Sequence, residues 1–255
     1  MEDKSIQSII ENDEVEARMH QMSRRSFLWA GAAIASGYAG WHWLTTREAA
    51  DGVQWPFRRT LELNEGLSKK IYIASRLSPQ FDKSEAGEPK TNGMEGLGEA
   101  LDMESWHLTI TGPGDQKSQL SLADIKGLPR VEMITELKCI EGWSQVVHWT
   151  GAKFSDFLAK HARDLASGTK YVGMSTPDDG YYVGLDMESA MHPQTLLCYE
   201  MNGEPLTPDH GAPLRLAIPV KYGIKNIKRI GAITLTNERP KDFWAEQGYD
   251  WYAGH

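Results

Sequence analysis

The chain has 255 residues and a formal net charge of −8, with 24% charged and 40% hydrophobic residues. That length supports one sizeable core plus an appendage. The acidic balance excludes the extended basic face that nucleic-acid binding needs, so no nucleic-acid partner is predicted. The two cysteines, Cys139 and Cys198, form neither a CxxC pair nor a paired zinc motif, and Cys198 is predicted to fill the core.

The N-terminal segment carries an export pattern. Residues 1–22 are polar and mostly acidic, and the run Ser23-Arg24-Arg25-Ser26-Phe27-Leu28 then has the paired arginines of a twin-arginine signal. The uncharged stretch from Ser26 to Thr46 approaches the ~20 residues that span a bilayer. We therefore predict a polar tail (1–22), a twin-arginine signal and transmembrane anchor (23–46), and a folded domain (47–255).

This organisation predicts a location at the periplasmic face of the bacterial inner membrane, reached through the twin-arginine export machinery. Arg24 and Arg25 precede the uncharged stretch, whereas Arg47 after it is balanced by Glu48, which orients the N-terminus to the cytoplasm. Cleavage near Ala50 is the alternative, and it would leave a soluble periplasmic protein.

The remaining chain reads as an α+β domain. Residues 51–92 are polar and interrupted by prolines without sustained periodicity, which predicts a segment that wraps over a domain. Beyond them, stretches rich in β-branched and aromatic residues predict strands at Trp106–Thr111, Val131–Leu137, Tyr171–Ser175, Leu196–Tyr199, Leu214–Ile218 and Ile230–Thr236. Apolar spacing predicts helices at Lys153–Arg163 and Asp186–Met191.

Two segments carry the chemistry. The first is Glu136-Leu137-Lys138-Cys139-Ile140-Glu141-Gly142-Trp143, in which a cationic neighbour such as Lys138 lowers the thiol pKa and favours soft-metal binding. The second is the basic run from Pro219 to Lys228, whose glycine permits close backbone approach to a phosphate. A lone cysteine cannot hold a metal, so a cofactor with its own sulfurs and a phosphate is predicted.

These segments, with the run LLCYEMNGEPLTPDHGAPLRLAIPVKYGIKNIK from Leu196 to Lys228, resemble the sulfite-oxidase-like molybdenum-molybdopterin oxidoreductases. The run CIEGWSQVVHW is similar to the bacterial periplasmic methionine-sulfoxide reductase branch. The resemblance implies the sulfite-oxidase catalytic fold, with mixed β-sheets and short helices, over residues 47–255. It also implies molybdenum and molybdopterin as cofactors.

The resemblance further implies the site residues. Cys139 would be the sole protein ligand to molybdenum, and Glu141 would act beside it as a catalytic carboxylate. His210 occupies a position where the sulfite oxidases carry histidine and the reductases carry asparagine. The full set of cofactor-binding positions implied by the match is Asn92, Cys139, Thr176, His210, Arg215, Lys225, Asn226, Ile227 and Lys228.

The function implied is oxygen-atom transfer, with a sulfoxide or another small molecule as substrate. The chain lacks haem, flavin and iron–sulfur motifs, so electrons would come from a membrane b-type cytochrome or another redox partner. The catalytic unit is expected to be monomeric. Two alternatives stay open: a sulfite dehydrogenase, and a non-catalytic module of the cell envelope.

Overall fold

The structure, a computed structural model, describes residues 2–50, 52–73, 76–98 and 101–255. The chain divides into two compact units, residues 1–50 with 54–56, and residues 51–53 with 57–255. The first unit consists mainly of helix α1, Glu2–Thr45, so the predicted tail and the predicted span lie in one continuous helix.

No helix in the described part of the chain is long and apolar enough to cross a membrane. The transmembrane span predicted for residues 23–46 is therefore not supported. The apolar side chains of this stretch are interspersed with glycines, Ser36 and His42, which lower its mean hydropathy.

Beyond α1, the described chain contains further helices and two five-stranded sheets. After α1, the helices are α2 Trp55–Ile71, α3 Leu122–Lys126, α4 Phe154–His161, α5 Arg163–Ala166, α6 Met187–Ala190 and α7 Phe243–Glu246. The strands are β1 Ala49–Ala50, β2 Val53–Gln54, β3 Leu108–Thr111, β4 Lys117–Leu120, β5 Arg130–Lys138, β6 Ser144–Lys153, β7 Tyr171–Ser175, β8 Tyr182–Asp186, β9 Leu196–Met201, β10 Glu204–Pro205, β11 Arg215–Ala217 and β12 Ala232–Thr236.

Each of the two larger sheets has five strands. The first has the order β10-β9-β6-β5, with β11 also pairing with β9, and all its pairs are antiparallel. The second has the order β4-β3-β12-β7-β8, in which only β3 and β12 run parallel. Mixed sheets with short helices confirm the α+β prediction, and the core includes the buried Leu108, Phe157, Val172 and Ile233.

All six predicted strands are present, and β7 has the predicted bounds. The two predicted helices appear as α4 and α6. The sequence reading missed β6, which lies between β5 and β9. Its Gly151 lies at a register shift, and a Cβ there would stand 2.1 Å from the Leu197 carbonyl oxygen. Glycine interrupts the strand signal and is required by this close approach.

Helix α2 was also missed, in a segment predicted to lack regular structure. Its inward face is polar rather than apolar, because Arg58 and Glu65 are its buried residues. Arg58 donates to the carbonyl oxygens of Ala245 and Tyr249, and Glu65 pairs with Arg239 at 2.6 Å. The segment therefore does lie over the domain, as predicted, but as a helix held by charged groups.

Candidate active site

Cys139 lies at the tip of the hairpin that joins β5 to β6. Its amide donates to the Trp143 carbonyl at 2.9 Å, and the Gly142 amide donates to the Cys139 carbonyl at 3.1 Å. Gly142 has a φ of +87°, a left-handed conformation that glycine adopts without steric cost. This turn fixes the backbone of the thiol-bearing residue and leaves its side chain half-buried.

The thiol opens into a cleft of about 160 Å³. The lining comes from distant parts of the chain and includes Asn92, Glu95, Cys139, Glu141, Trp143, Gln145, Trp149, His210, Arg215, Gly223, Asn226 and Lys228. The Asn92 amide Nδ2 lies 3.8 Å from the Cys139 Sγ. Of the ten predicted site residues, seven therefore line one cavity.

A strap formed by residues 87–93 lies along the hairpin beside the thiol. The Lys90 amide donates to Gln145 Oε1 at 2.9 Å, and the Gln145 side chain donates to the Glu88 carbonyl. The Lys90 ammonium stands 4.4 Å from the centroid of the Trp143 ring. The Trp143 indole donates to Glu141 at 2.9 Å, which orients that carboxylate at the mouth of the cleft.

The electrostatics at the thiol differ from the sequence expectation. Burial raises the pKa of Cys139, the Glu141 carboxylate adds to the rise, and a hydrogen bond from the Glu141 backbone and the charge of Lys90 oppose it. The predicted lowering by Lys138 was wrong, because its ammonium pairs with Glu136 at 3.9 Å and lies outside the cleft that holds the thiol.

Arg215 is buried in the cleft wall without a carboxylate partner among the described residues. It stacks over the Trp149 ring at 4.7 Å and donates one hydrogen bond to the His210 carbonyl at 3.0 Å, while its Nε has no hydrogen-bond partner in the described chain. Burial lowers its pKa to about 10. A buried, incompletely paired guanidinium is costly, so an anionic or strongly accepting ligand is expected beside it.

Lys228 ties the strap to the turn that contains His210. Its ammonium donates to the carbonyl oxygens of Asn92 at 2.6 Å, Gly93 at 3.1 Å and Asp209 at 2.8 Å. Burial, and then the charge of Arg215, lowers the pKa of Lys228 to about 8. The pKa of His210 is lowered by burial and by the same two cations. The cleft wall thus concentrates positive charge.

The basic loop from Pro219 to Lys228 passes directly behind the thiol. A Cβ at Gly223 would stand 3.4 Å from the Lys138 carbonyl oxygen and 3.8 Å from the Cys139 Cα. Asn226 accepts a hydrogen bond from the Ile218 amide at 2.8 Å and donates one to the Tyr222 carbonyl at 3.2 Å. The asparagine side chain therefore holds the shape of the loop, and Gly223 lets it lie close to the hairpin.

Three predicted site residues do not line the cleft. Lys225 is fully buried in an ion pair with Asp242 and also donates to the Gly184 carbonyl at 2.9 Å. The buried Ile227 accepts a hydrogen bond from the Leu216 amide at 2.9 Å. Thr176 closes a turn by accepting from the Tyr181 amide at 3.1 Å and donating to Asp178.

Replacing Lys225 by methionine is expected to destabilise the fold by about 3–5 kcal/mol, because it leaves the buried Asp242 carboxylate unpaired. Cofactor content per folded molecule should stay unchanged. Denaturant unfolding together with pterin analysis checks both expectations, with the exposed Lys170→Met as the control. A variant of normal stability that loses the cofactor would instead place Lys225 in the binding site.

Sequence reasoning missed several lining residues, among them Lys90, Gln145, Trp149 and Met201. Gln145, Val147 and Trp149 alternate along β6, so the period of two would have placed them on one face had the strand been identified. Lys90 had no such signal, because only the fold of the strap brings it to Trp143.

The comparisons with known proteins agree with this geometry. Residues 96–244 match the family described as "Oxidoreductase molybdopterin binding domain". A protein of Azospira oryzae, with the provisional name protein-methionine-sulfoxide reductase subunit YedZ1, is 32% identical over 234 residues, which cover 91% of this chain and 86% of that protein.

A second relative is the protein-methionine-sulfoxide reductase catalytic subunit MsrP of Xanthomonas campestris. It is 35% identical over 175 residues, and the match covers 63% of this chain and about half of that relative, 53%. Among solved structures, the sulfane dehydrogenase SoxCD of Paracoccus pantotrophus superimposes with a TM-score of 0.50 at 19% identity, covering 55% of this chain and 40% of that one. This likeness supports the fold alone.

A half-buried thiol in a cation-lined cleft, on a fold of mixed sheets, agrees with a cofactor-dependent oxidoreductase, and the family match over residues 96–244 identifies this class. The chain belongs to the molybdopterin-binding oxidoreductase family, in the sulfite-oxidase-like group near the MsrP branch. The predictions of family and of enzymatic activity are thereby confirmed.

The residues present fit molybdopterin. Arg215 has a buried guanidinium whose Nε lacks a hydrogen-bond partner in the described chain, and such a planar group pairs well with phosphate or with the polar edge of a ring. Gly223 brings the backbone of the basic loop into van der Waals contact with the hairpin at Lys138 and Cys139. Arg215 and the loop backbone would hold the cofactor, while Lys228, whose ammonium already donates to three backbone carbonyls, would shape the wall beside it.

Proposed function

We propose that this chain is a molybdenum-molybdopterin enzyme that reduces sulfoxides, with Cys139 as the protein ligand to molybdenum. The observation that carries the proposal is the position of the Cys139 thiol in a cleft whose wall holds the incompletely paired Arg215. Thiolate is a soft ligand suited to such a metal. The names of the MsrP and YedZ1 relatives support sulfoxides as the substrate class.

Two-electron oxygen-atom transfer is the chemistry that a bound molybdenum would supply. Reduction of a sulfoxide breaks the sulfur–oxygen bond, consumes two electrons and two protons, and releases a thioether and water. This chain's own residues then have two tasks. The aromatic side chains of Trp143, Trp149 and Tyr249 accommodate the apolar groups that flank the sulfoxide, and Glu141 relays the protons that the reaction consumes.

The proposal is tested by assaying the cofactor-loaded protein with a panel of sulfoxides, N-oxides and sulfite, using an artificial electron donor or acceptor. We expect turnover with sulfoxides, including methionine sulfoxide, and little oxidation of sulfite. Preferential sulfite oxidation would assign the chain to the sulfite dehydrogenase alternative. Absence of turnover with the whole panel, in protein with full cofactor content, would reject the proposed reaction.

Replacing Glu141 by glutamine is expected to lower kcat about 10²-fold, because the amide keeps the hydrogen bond from Trp143 but cannot carry a proton. Cofactor content should stay at the wild-type level. Glu95→Gln, at another carboxylate of the same cleft, serves as the control. An unchanged kcat in Glu141→Gln would remove this residue from proton transfer.

We further propose that the protein works in the periplasm after twin-arginine export, with a membrane b-type cytochrome as its electron donor. The support is the motif Ser23-Arg24-Arg25-Ser26-Phe27-Leu28 and the absence of haem, flavin and iron–sulfur motifs from the sequence. Two electrons per turnover must then come from a partner protein.

Changing Arg24 and Arg25 together to lysine is expected to retain the protein in the cytoplasm, since the export pathway recognises the arginine pair rather than charge alone. Cell fractionation with immunodetection measures the distribution. Arg18→Lys, outside the motif, should be exported normally. Normal export of the double variant would show that another signal directs the protein.

A further inference from the structure

Helix α2 has an unusual orientation on the catalytic unit. Its charged residues Arg58 and Glu65 face inward, with exposed fractions of 6% and 7%. Its large apolar residues Leu63, Leu67 and Ile71 face outward, with exposed fractions of 70%, 62% and 74%. A surface helix normally buries its apolar stripe, so this stripe is expected to be covered in the working protein.

The stripe lies next to further exposed apolar residues. Ile73 and Leu77 follow the helix, and both are more than half exposed. Together the five residues Leu63, Leu67, Ile71, Ile73 and Leu77 form what we call the α2 patch. Their spacing of four residues within the helix keeps the first three on one line.

The charge around the α2 patch indicates the chemistry of its partner. Residues 57–77 contain five basic and two acidic residues, in a chain with a net charge of −8. Arg59 and Lys70 lie on one flank of the helical stripe and are exposed. The inward carboxylate Glu65 is already paired with Lys69 at 2.7 Å and with Arg239. With Arg58 and Glu65 buried, the exposed charges of this segment are Arg59, Lys69, Lys70 and Arg76 against Glu62, so the outward surface is apolar with a net positive charge.

The α2 patch also borders a second cavity, separate from the active-site cleft. This cavity of about 430 Å³ is lined by Ile71, Ile73 and Leu77 together with the cationic Arg76 and Lys138. Apolar side chains at its rim and cationic groups in its wall match the acyl chain and the anionic headgroup of one kind of molecule, an acidic phospholipid.

We propose that the α2 patch docks the catalytic unit on the surface of an anionic phospholipid bilayer, with its apolar residues at the level of the headgroups and its basic residues on the phosphates. Apolar side chains flanked by Lys and Arg are the composition of helices that lie in the membrane interface. Such docking is independent of the sulfoxide chemistry proposed above. It would keep one face of the catalytic unit turned toward the membrane.

The test is hydrogen–deuterium exchange of the full-length, cofactor-loaded protein, read at the amides of α2. The protein is compared free, with vesicles of phosphatidylcholine, and with vesicles that also contain phosphatidylglycerol. We expect slower exchange in α2 with the anionic vesicles and little change with phosphatidylcholine alone. A local measurement is needed because other segments of the chain could contribute to total vesicle binding.

With Leu67→Ser, the concentration of anionic vesicles needed to protect the α2 amides should rise at least about tenfold, because the substitution removes the central apolar side chain of the patch. Met103→Ser, at an exposed apolar residue outside the patch, should bind as the wild type. Both variants should keep wild-type turnover with a soluble electron donor.

The proposal is overturned if the wild-type protein shows the same α2 exchange with and without anionic vesicles, a result that does not depend on any variant. It is also overturned if α2 becomes protected without lipid as protein concentration rises, which would assign the patch to a second copy of the chain. If the α2 amides are protected without lipid at every protein concentration, and this protection is lost when residues 1–50 are removed, the α2 patch would be assigned to contact with the N-terminal unit.

Discussion

Replacing Cys139 by serine is expected to reduce turnover to background while the fold is retained. The side chain sits in the cleft at the tip of a hairpin whose turn is held by backbone hydrogen bonds, so the substitution leaves the local structure in place. A hydroxyl is a hard and weakly acidic ligand, poorly matched to a metal that prefers thiolate. Steady-state kinetics with a sulfoxide and an artificial donor measure the effect.

Cys198→Ser is the matched control. Cys198 is fully buried in β9, and burial raises its thiol pKa to about 12. A hydroxyl placed there costs stability of about 1–3 kcal/mol, but turnover per folded molecule should be kept. If Cys198→Ser were inactive and Cys139→Ser active, the assignment of the metal ligand would be reversed.

Arg215→Ala is expected to have the second-largest effect, on cofactor retention. The substitution removes a guanidinium whose Nε has no partner within the described chain, and with it a charge-assisted hydrogen bond to the bound anion of about 1.5–3 kcal/mol. This corresponds to roughly ten- to hundredfold weaker retention. Pterin and molybdenum content of the purified protein should fall together.

Arg215→Lys separates charge from geometry, since lysine keeps the charge but loses the planar fork. Its cofactor content should lie between those of the wild type and of Arg215→Ala. Arg130→Ala serves as the control, because Arg130 forms exposed ion pairs with Glu132 and Glu200 on the edge strand β5. Full cofactor content in Arg215→Ala would show that the anion is held elsewhere.

The sequence predicts the parts of the fold whose side-chain pattern agrees with their environment. Strand β7 has the predicted bounds because its buried and half-buried residues alternate. Strand β6 was missed because Gly151, required by the approach of the Leu197 carbonyl, breaks the pattern. Helix α2 was missed although Leu63, Leu67 and Ile71 recur at helical spacing, because the surrounding segment is polar and interrupted by prolines, and its buried residues are charged instead of apolar.

The candidate site shows the same division. The Cys139 segment is local, so its place at a turn could be predicted from its residues. Lys225 and Lys228 both lie in the basic loop, three residues apart, and the sequence alone does not distinguish which of them faces the cleft. The turn Gly223–Lys225 directs Lys225 toward Asp242, and Lys228 reaches the strap at Asn92. Only the tertiary structure separates an internal ion pair from a cleft residue.

Molybdenum K-edge X-ray absorption of the purified protein tests the central claim most directly, because it reports the atoms bound to the metal independently of activity. The wild-type protein should contain molybdenum with sulfur ligands, and Cys139→Ser should show one sulfur ligand fewer, while Cys198→Ser should be identical to the wild type. The same sulfur coordination in the wild type and in Cys139→Ser would contradict the assignment of Cys139 as the protein ligand.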